Sequence, residues 1–276
     1  MLTLPMSLCA ALLAASPYAF HDGQVERTVE SEIAPPRGFH RLQAAPGSFA
    51  AWLRGLPLKP PGAKVHLHDG SLKANQEIHR AVIDIDVGKR DLQQCADAVM
   101  RLRAEYLFST PSANQICFRF TSGDSAEWSR WQEGLRPKIA RNQVSWVKSA
   151  APDASRASFR SYLDTVFTFA GTASLAKELG AVRDPTRIEP GDVFIHGGFP
   201  GHAEGVVDVA ENARGERVFL LAQSYMPAQE IHLLRNPGAP EDPWYPALAE
   251  GQLITPEWTF ARKELRRFGQ PGCGPK

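Results

Sequence analysis

Hydrophobic positions recur along this chain with two periods, and the two alternate in blocks. The run AVIDIDV (81–87) places Ile83, Ile85 and Val87 on one face and Asp84 and Asp86 on the other, which predicts a strand. DLQQCADAVMRLRAEYLF (91–108) puts Leu92, Cys95, Val99, Leu102 and Tyr106 at helical spacing, with Asp91 as a suitable N-cap. ICFRF predicts a strand, and EWSRWQEG a short helix with Trp128 and Trp131 one turn apart. SFRSYLDTVFTFAG gathers Phe159, Tyr162, Leu163, Val166 and Ala170 on one helical face. TASLAKELG predicts another helix, from an N-cap at Thr172 to a stop at Gly180. Strands follow: DVFIHG, HAEGVVDVA, RVFLLAQSY and EIHLLRN, with ENARGER as a hairpin turn. Upstream, GSFAAWLRGL reads as a short helix closed by the prolines of LPLKPPG, and KVHLHDG as a strand entering an Asp69-Gly70 turn.

Helices followed by a run of antiparallel strands imply an α+β fold with a curled sheet. Residues 21–46 lack sustained periodicity and read as a linker. An N-terminal α/β part is expected over 47–150 and a second part over 151–268, with a boundary at Ala150-Ala151-Pro152-Asp153; 47–268 also suits one domain. The tail GQPGCGPK (269–276) reads as disordered. The first twenty residues, MLTLPMSLCAALLAASPYAF, carry no charge and end in small residues, with cleavage positions at Ala14-Ala15-Ser16 and Ala19. They read as a secretory signal peptide, with an N-terminal membrane anchor as the rival reading. The expected location is therefore the periplasm or cell envelope.

Composition removes some function classes. A formal charge of +1 over 276 residues offers no concentrated basic face, so no nucleic-acid partner is expected. No glycine pattern has phosphate-loop spacing, and no cofactor is expected. Removal of a signal peptide leaves Cys95, Cys117 and Cys273, an odd number, so one is free or pairs between chains. A Cys95–Cys117 bridge is not expected, because a helix followed by a returning strand separates the two by well over the ~7 Å limit for bridged Cα atoms.

Candidate chemistry centres on PGDVFIHGGFPGHAEGVVDVA (190–210): a Pro-Gly-Asp turn, an apolar strand, a glycine loop, and a strand opened by His202. The next strand, FLLAQ, carries Gln223. This order resembles the papain-like fold in its bacterial form, the NlpC/P60 cell-wall peptidases. The resemblance implies helices packed on an antiparallel sheet, with His202 as base and Gln223 orienting its ring. It also implies a cysteine at the head of the helix preceding TASLAKELG, where this chain has Ser158 and Phe159 and no cysteine within thirty residues.

Cys95 is the alternative nucleophile. It lies in the first turn of an expected helix, where the dipole favours a thiolate, and precedes His202 in chain order. It also falls on the apolar stripe of that helix, as a core cysteine would. Gln94 or the backbone N–H of Cys95 would stabilise an oxyanion. Gly198, Gly201, Ser224 and Tyr225 would line the cleft. His202 equally suits a hydrogen bond to its own loop. Asp208 lies ~20 Å along the strand, too far to orient His202 at ~3.3 Å per residue. His66 and His68, with His79, are a weaker zinc candidate, and no metal is expected. Asp84 and Asp86 form an acidic pair better read as a solvated strand face.

A second resemblance covers 49–268. The runs WLRGLPLKP, DLQQCADAVMRLRAEYL, GDVFIHGGFPGHAEGVVDVA, FLLAQSYMPAQEIHLL and TPEWTF are similar to an uncharacterised family of exported bacterial proteins, a domain of unknown function. It implies an envelope setting and no established activity. Two functions follow as expectations: a cysteine hydrolase acting on amide or ester bonds, with peptidoglycan peptide as its partner, or a non-catalytic domain binding an envelope ligand or protein.

Overall fold

The computed structural model describes residues 17–21, 23–141 and 143–273. Most of the expected signal peptide, residues 1–16, lies outside the described residues. Its last part does not: Tyr18 is buried, its hydroxyl donates to the Trp52 carbonyl (2.8 Å), and its ring lies 5.2 Å from that of Trp52. No helix among the described residues is long and apolar enough to cross a membrane.

The chain begins with α1 (Val29–Glu32), capped by the Thr28 hydroxyl on the Ser31 N–H, then β1 (Phe39–Arg41). Next come α2 (Phe49–Arg54), capped by Ser48, and β2 (His79–Val82). Among the described residues of the first half, the longest helix is α3 (Cys95–Phe108). A hairpin of β3 (Cys117–Arg119) and β4 (Ser125–Glu127) leads into α4 (Trp128–Gln132). A second hairpin joins β5 (Leu135–Ala140) to β6 (Gln143–Lys148). Helices α5 (Arg156–Phe169) and α6 (Thr172–Glu178) follow. The strands of the C-terminal half are β7 (Gly180–Ala181), β8 (Val193–His196), β9 (His202–Asn212), β10 (Arg217–Gln223), β11 (His232–Leu234) and β12 (Tyr245–Pro246). The hairpin of β13 (Gln252–Ile254) and β14 (Thr259–Ala261) precedes β15 (Leu265–Arg267).

Nine of these strands form one antiparallel sheet in the order β2-β11-β10-β9-β8-β15-β7, with β1 beside β9 and β12 beside β10. Its path is open, ending at β2 and β7, rather than curled as expected. The fold is thus mixed α and β, with antiparallel sheets and few helices. The supposed linker contributes α1, β1 and the buried Val29. Elements this short carry too few residues to show a period. Because β1 and β2 pair with β9 and β11, a single sheet crosses the boundary expected near residue 150.

Helix α3 lies between two clusters. Ala96, Val99 and Met100 pack with Phe159, Val193 and Ala203, whereas Ala98 and Leu102 pack with Leu53, Val207 and Leu220. A helix covered all round must bury its polar residues too, and burial of charge demands partners. Arg101 donates to Glu105 (2.6 Å) and Gln93 (2.8 Å), and Glu105 also takes Arg156 (2.5 Å to Nη2). On the other face of the sheet, Phe194, Val206, Phe219 and Leu221 pack against Leu253 and Phe260 of the β13–β14 hairpin.

A β-bulge in β9 inserts Val207 between the pairs Val206–Leu221 and Asp208–Leu220. It turns Asp208 toward α2, where Arg54 meets its carboxylate, while Glu204 points to Thr255 in the hairpin. The Pro-Gly-Asp turn is equally structural. Asp192 receives both Nε (2.6 Å) and Nη2 (2.8 Å) of Arg267, tying β15 to β8. Gly191 has φ +92°, and a Cβ there would stand 2.8 Å from the Phe49 ring. Gly191→Ala should therefore destabilise the fold by about 1–3 kcal/mol. A fall in the urea midpoint is the expected reading, and an unchanged midpoint would show that Phe49 and the turn yield freely.

The tail is also pinned. Cys117 and Cys273 form a disulfide across 156 residues, with Cα atoms 5.4 Å apart. The expected disordered tail is thus held at Cys273, and residues 274–276 lie outside the described residues. Cys95 is left as a free thiol.

Candidate active site

Helix α3 starts at Cys95 rather than near Asp91, because other groups claim the Asp91 carboxylate. Asp91 accepts from the Ala228 N–H (2.7 Å) and from the Gln94 side chain (3.1 Å). Gln94 takes the N-cap position, and its backbone N–H donates to Asp97 (3.0 Å). Burial pushes the Asp97 carboxyl well above the usual carboxylate range, against the backbone N–H groups of Gln94 and Asp97. Cys95 is therefore the first residue of a 14-residue helix, where backbone N–H groups lack intrahelical partners and negative charge is favoured.

The thiol meets His202, which opens β9. Burial is the largest influence on the imidazole and would push it down. Side-chain hydrogen bonds with Cys95 and Glu204, together with their negative charge, outweigh burial and push the pKa up to about 10. His202 Nε2 lies 2.9 Å from Gln223 Oε1 and 3.4 Å from Glu204 Oε1, which leaves Nδ1 as the nitrogen free for the thiol. The rings of Tyr225, Trp258 and Phe260 surround it, with centroids 5.0, 5.3 and 5.9 Å away. His202 is 1% exposed and Cys95 9%.

Neighbouring strands set the orientation of Gln223. His232, on β11, directs Nδ1 at the Glu230 carbonyl (2.8 Å), and only an N–H there makes a bond. Its Nε2 then carries a lone pair that accepts from Gln223 Nε2 (3.3 Å). Gln223 Nε2 also donates to Glu257 (2.5 Å), so Oε1 is the end presented to His202. Burial pushes His232 down to about 3, against the Glu230 carbonyl, so this ring stays neutral. Glu257 in turn pairs with Lys73 (2.7 Å), whose ammonium sits 5.3 Å above the Tyr225 ring. A polar network thus runs from the thiol to a covering ion pair.

The structure places Cys95, His202 and Gln223 together. Glu204 and His232 also belong to this cluster, and neither was singled out from the sequence. Glu204 is fully buried, gives one oxygen to the Thr255 hydroxyl (2.7 Å) and leaves Oε2 without a partner. Its signal was the two-residue spacing from His202, which shares a strand face. Of the expected lining residues, Tyr225 touches the imidazole, whereas Gln94 is engaged at the helix cap. Ser224 is fully buried, with its hydroxyl oxygen 2.8 Å from the carbonyls of both Gln93 and Gln229, tying the approach to α3 to the end of β10. Gly198 accepts from the Thr172 hydroxyl (3.0 Å), and a Cβ at Gly201 would stand 2.4 Å from that same oxygen. These glycines let the loop approach the start of α6.

The other candidates lie apart. Ser158 accepts from the Trp131 indole (3.2 Å), and Ser155 caps α5. His66 faces Glu230 (3.3 Å), and His79 faces the Ala63 carbonyl (3.0 Å). No group of three or more His, Cys, Asp or Glu among the described residues is arranged to hold a metal ion. Asp84 pairs with His21 (3.2 Å), while Asp86 pairs with Arg101 (3.2 Å) and Arg160 (3.3 Å).

Among known families, one model matches, over residues 29–267, and its description is "Domain of unknown function (4846)". No curated protein and no solved structure matches.

Proposed function

The chain belongs to that family, Domain of unknown function (4846), and we propose that it is a papain-like cysteine hydrolase of amide or ester bonds. The observation that carries this reading is the contact of a helix-initiating thiol with an imidazole held from behind by Gln223 and Glu204. A thiol attacks efficiently only as thiolate, and a helix N-terminus beside an imidazolium favours that form. The Cys95 sulfur adds to the substrate carbonyl carbon, and the backbone N–H of Cys95 faces the developing oxyanion. His202 then gives its proton to the leaving amine or alkoxide as the C–N or C–O bond breaks. Water, deprotonated by His202, hydrolyses the thioester and restores the thiol pair. Glu204 holds the positive form of the ring.

An envelope setting, with peptidoglycan peptide as substrate, extends this reading. The Cys117–Cys273 disulfide supports an oxidising compartment, and the uncharged apolar start of the chain supports export. The depth of Cys95 and His202 beneath Tyr225 and the Lys73–Glu257 pair favours a second reading, a non-catalytic domain that binds such a ligand.

Alkylation tests the thiol directly. Iodoacetamide should modify Cys95 at a rate that is fast and flat through the neutral range, followed by peptide mapping. An unactivated thiol instead speeds up with pH toward its ordinary value of about 8.5. Because the His202 pKa is raised, its proton remains through pH 6.5 and is lost only near 10, so the paired form persists until then. Glu204→Gln should move that alkaline limit down. Slow modification that follows an ordinary thiol titration would remove the hydrolase reading.

A further inference from the structure

A cavity of about 310 Å³ lies at the opposite end of α3, between that helix, β3, α6 and the tail. Arg103, Gln115, Arg119, Lys177, Glu178 and Phe268 line it, and the disulfide-tethered segment 269–273 forms one wall. It shares no lining residue with the Cys95–His202 cluster, so it stands or falls independently of the hydrolase reading.

Arg103 is the unusual member. Its guanidinium is held 4.9 Å above the Phe49 ring, 5.3 Å from that of Phe268 and 5.7 Å from that of Tyr106. These ring contacts use none of its N–H groups, and no described residue supplies Arg103 with a hydrogen bond or an ion pair. Its nitrogens are not among the sealed, unpartnered atoms of the interior, so their N–H groups stay open to a ligand. Lys177, on the rim at the last turn of α6, also lacks an acidic partner among the described residues. The carboxylate in the cavity, Glu178, is spent on the Arg119 backbone N–H (3.0 Å). Burial pushes Glu178 up to about 7, against the Arg119 N–H and charge, so it offsets the cations around it less than an ordinary carboxylate would.

We propose that this cavity is a binding site for a small oxyanion, a carboxylate or phosphate group, gripped by Arg103 and Lys177. The planar fork of Arg103, held among three aromatic rings, suits two-point contact with either group. The tail wall makes the site depend on the Cys117–Cys273 bridge.

Calorimetric titration of the full chain at constant ionic strength tests this, with inorganic phosphate in one arm and succinate in the other. Saturable binding of at least one probe is expected. Arg103→Met, which keeps the stacked length but removes the fork, should weaken it about tenfold or more. Lys177→Gln, a rim change that leaves the fold intact, should weaken it less, and reduction of the disulfide should weaken it as well. Saturation by phosphate alone assigns a phosphoryl ligand, and saturation by succinate alone a carboxylate ligand. The proposal is overturned if neither probe saturates the wild-type chain, or if Lys177→Gln and folded Arg103→Met both bind as wild type does.

Discussion

Cys95→Ala should abolish the rapid burst of nitrophenol released from p-nitrophenyl acetate and lower the subsequent turnover by about 10⁴-fold or more. The burst reports a covalent acyl intermediate, and Cys95 is the free thiol of the described residues. His202→Ala should cost nearly as much. Residues that act as a unit are not additive, so the double variant should be scarcely worse than either single one. Gln223→Ala should retain the burst at reduced rate, since Glu204 still holds the imidazole from the same side. A burst that survives in Cys95→Ala would show that the nucleophile lies elsewhere. Wild-type protein without any burst, whose ligand binding survives both alanine variants, would favour the non-catalytic reading.

Asp208→Ala should lower stability by about 3–5 kcal/mol, the cost of leaving buried charge without its partner. The Asp208 carboxylate is fully buried between two arginines from the N-terminal stretch. Arg41 Nε lies at 2.6 Å and Arg54 Nε at 3.0 Å. Arg41 also donates to the Ile33 carbonyl (2.5 Å), and Arg54 to that of Leu42 (2.9 Å). Asp208 therefore adds to the β1–β9 pairing a side-chain anchor that ties β9 to Arg41 and Arg54. Its removal should lower the urea midpoint and expose 28–42 to limited proteolysis before the rest of the sheet. Asp208→Asn should cost less, because its amide oxygen still accepts one of the bonds. A loss below about 1 kcal/mol would mean that the arginines find other acceptors.

The parts of this molecule that were legible in its sequence are those written in local periods. Val193–His196, His202–Asn212 and Arg217–Gln223 were recognisable as consecutive strands, and consecutive antiparallel strands pair. That alone brings His202 beside Gln223. Cys95 was legible as a residue near a helix start, though its place at the first position depends on Ala228 claiming Asp91 from 137 residues away. The supposed linker was opaque because α1 is four residues and β1 three. The partner of Cys117 was opaque for another reason, since a link across 156 residues leaves no trace in spacing. The sequence offers Asp208 only as a residue too far along its strand to orient His202, because its structural role follows from a bulge that strand alternation cannot foretell.

The amide of Gln223 has a consequence for the site as a whole. His202 donates to Gln223, Gln223 donates to His232, and His232 donates to the Glu230 carbonyl. These three hydrogens are all donated away from Cys95. Turning the amide would set its oxygen against the Glu257 carboxylate and its nitrogen against the His202 N–H. The polarity presented to the sulfur is therefore fixed when the chain folds, and the far end of the row neither gains nor loses a proton when His202 does.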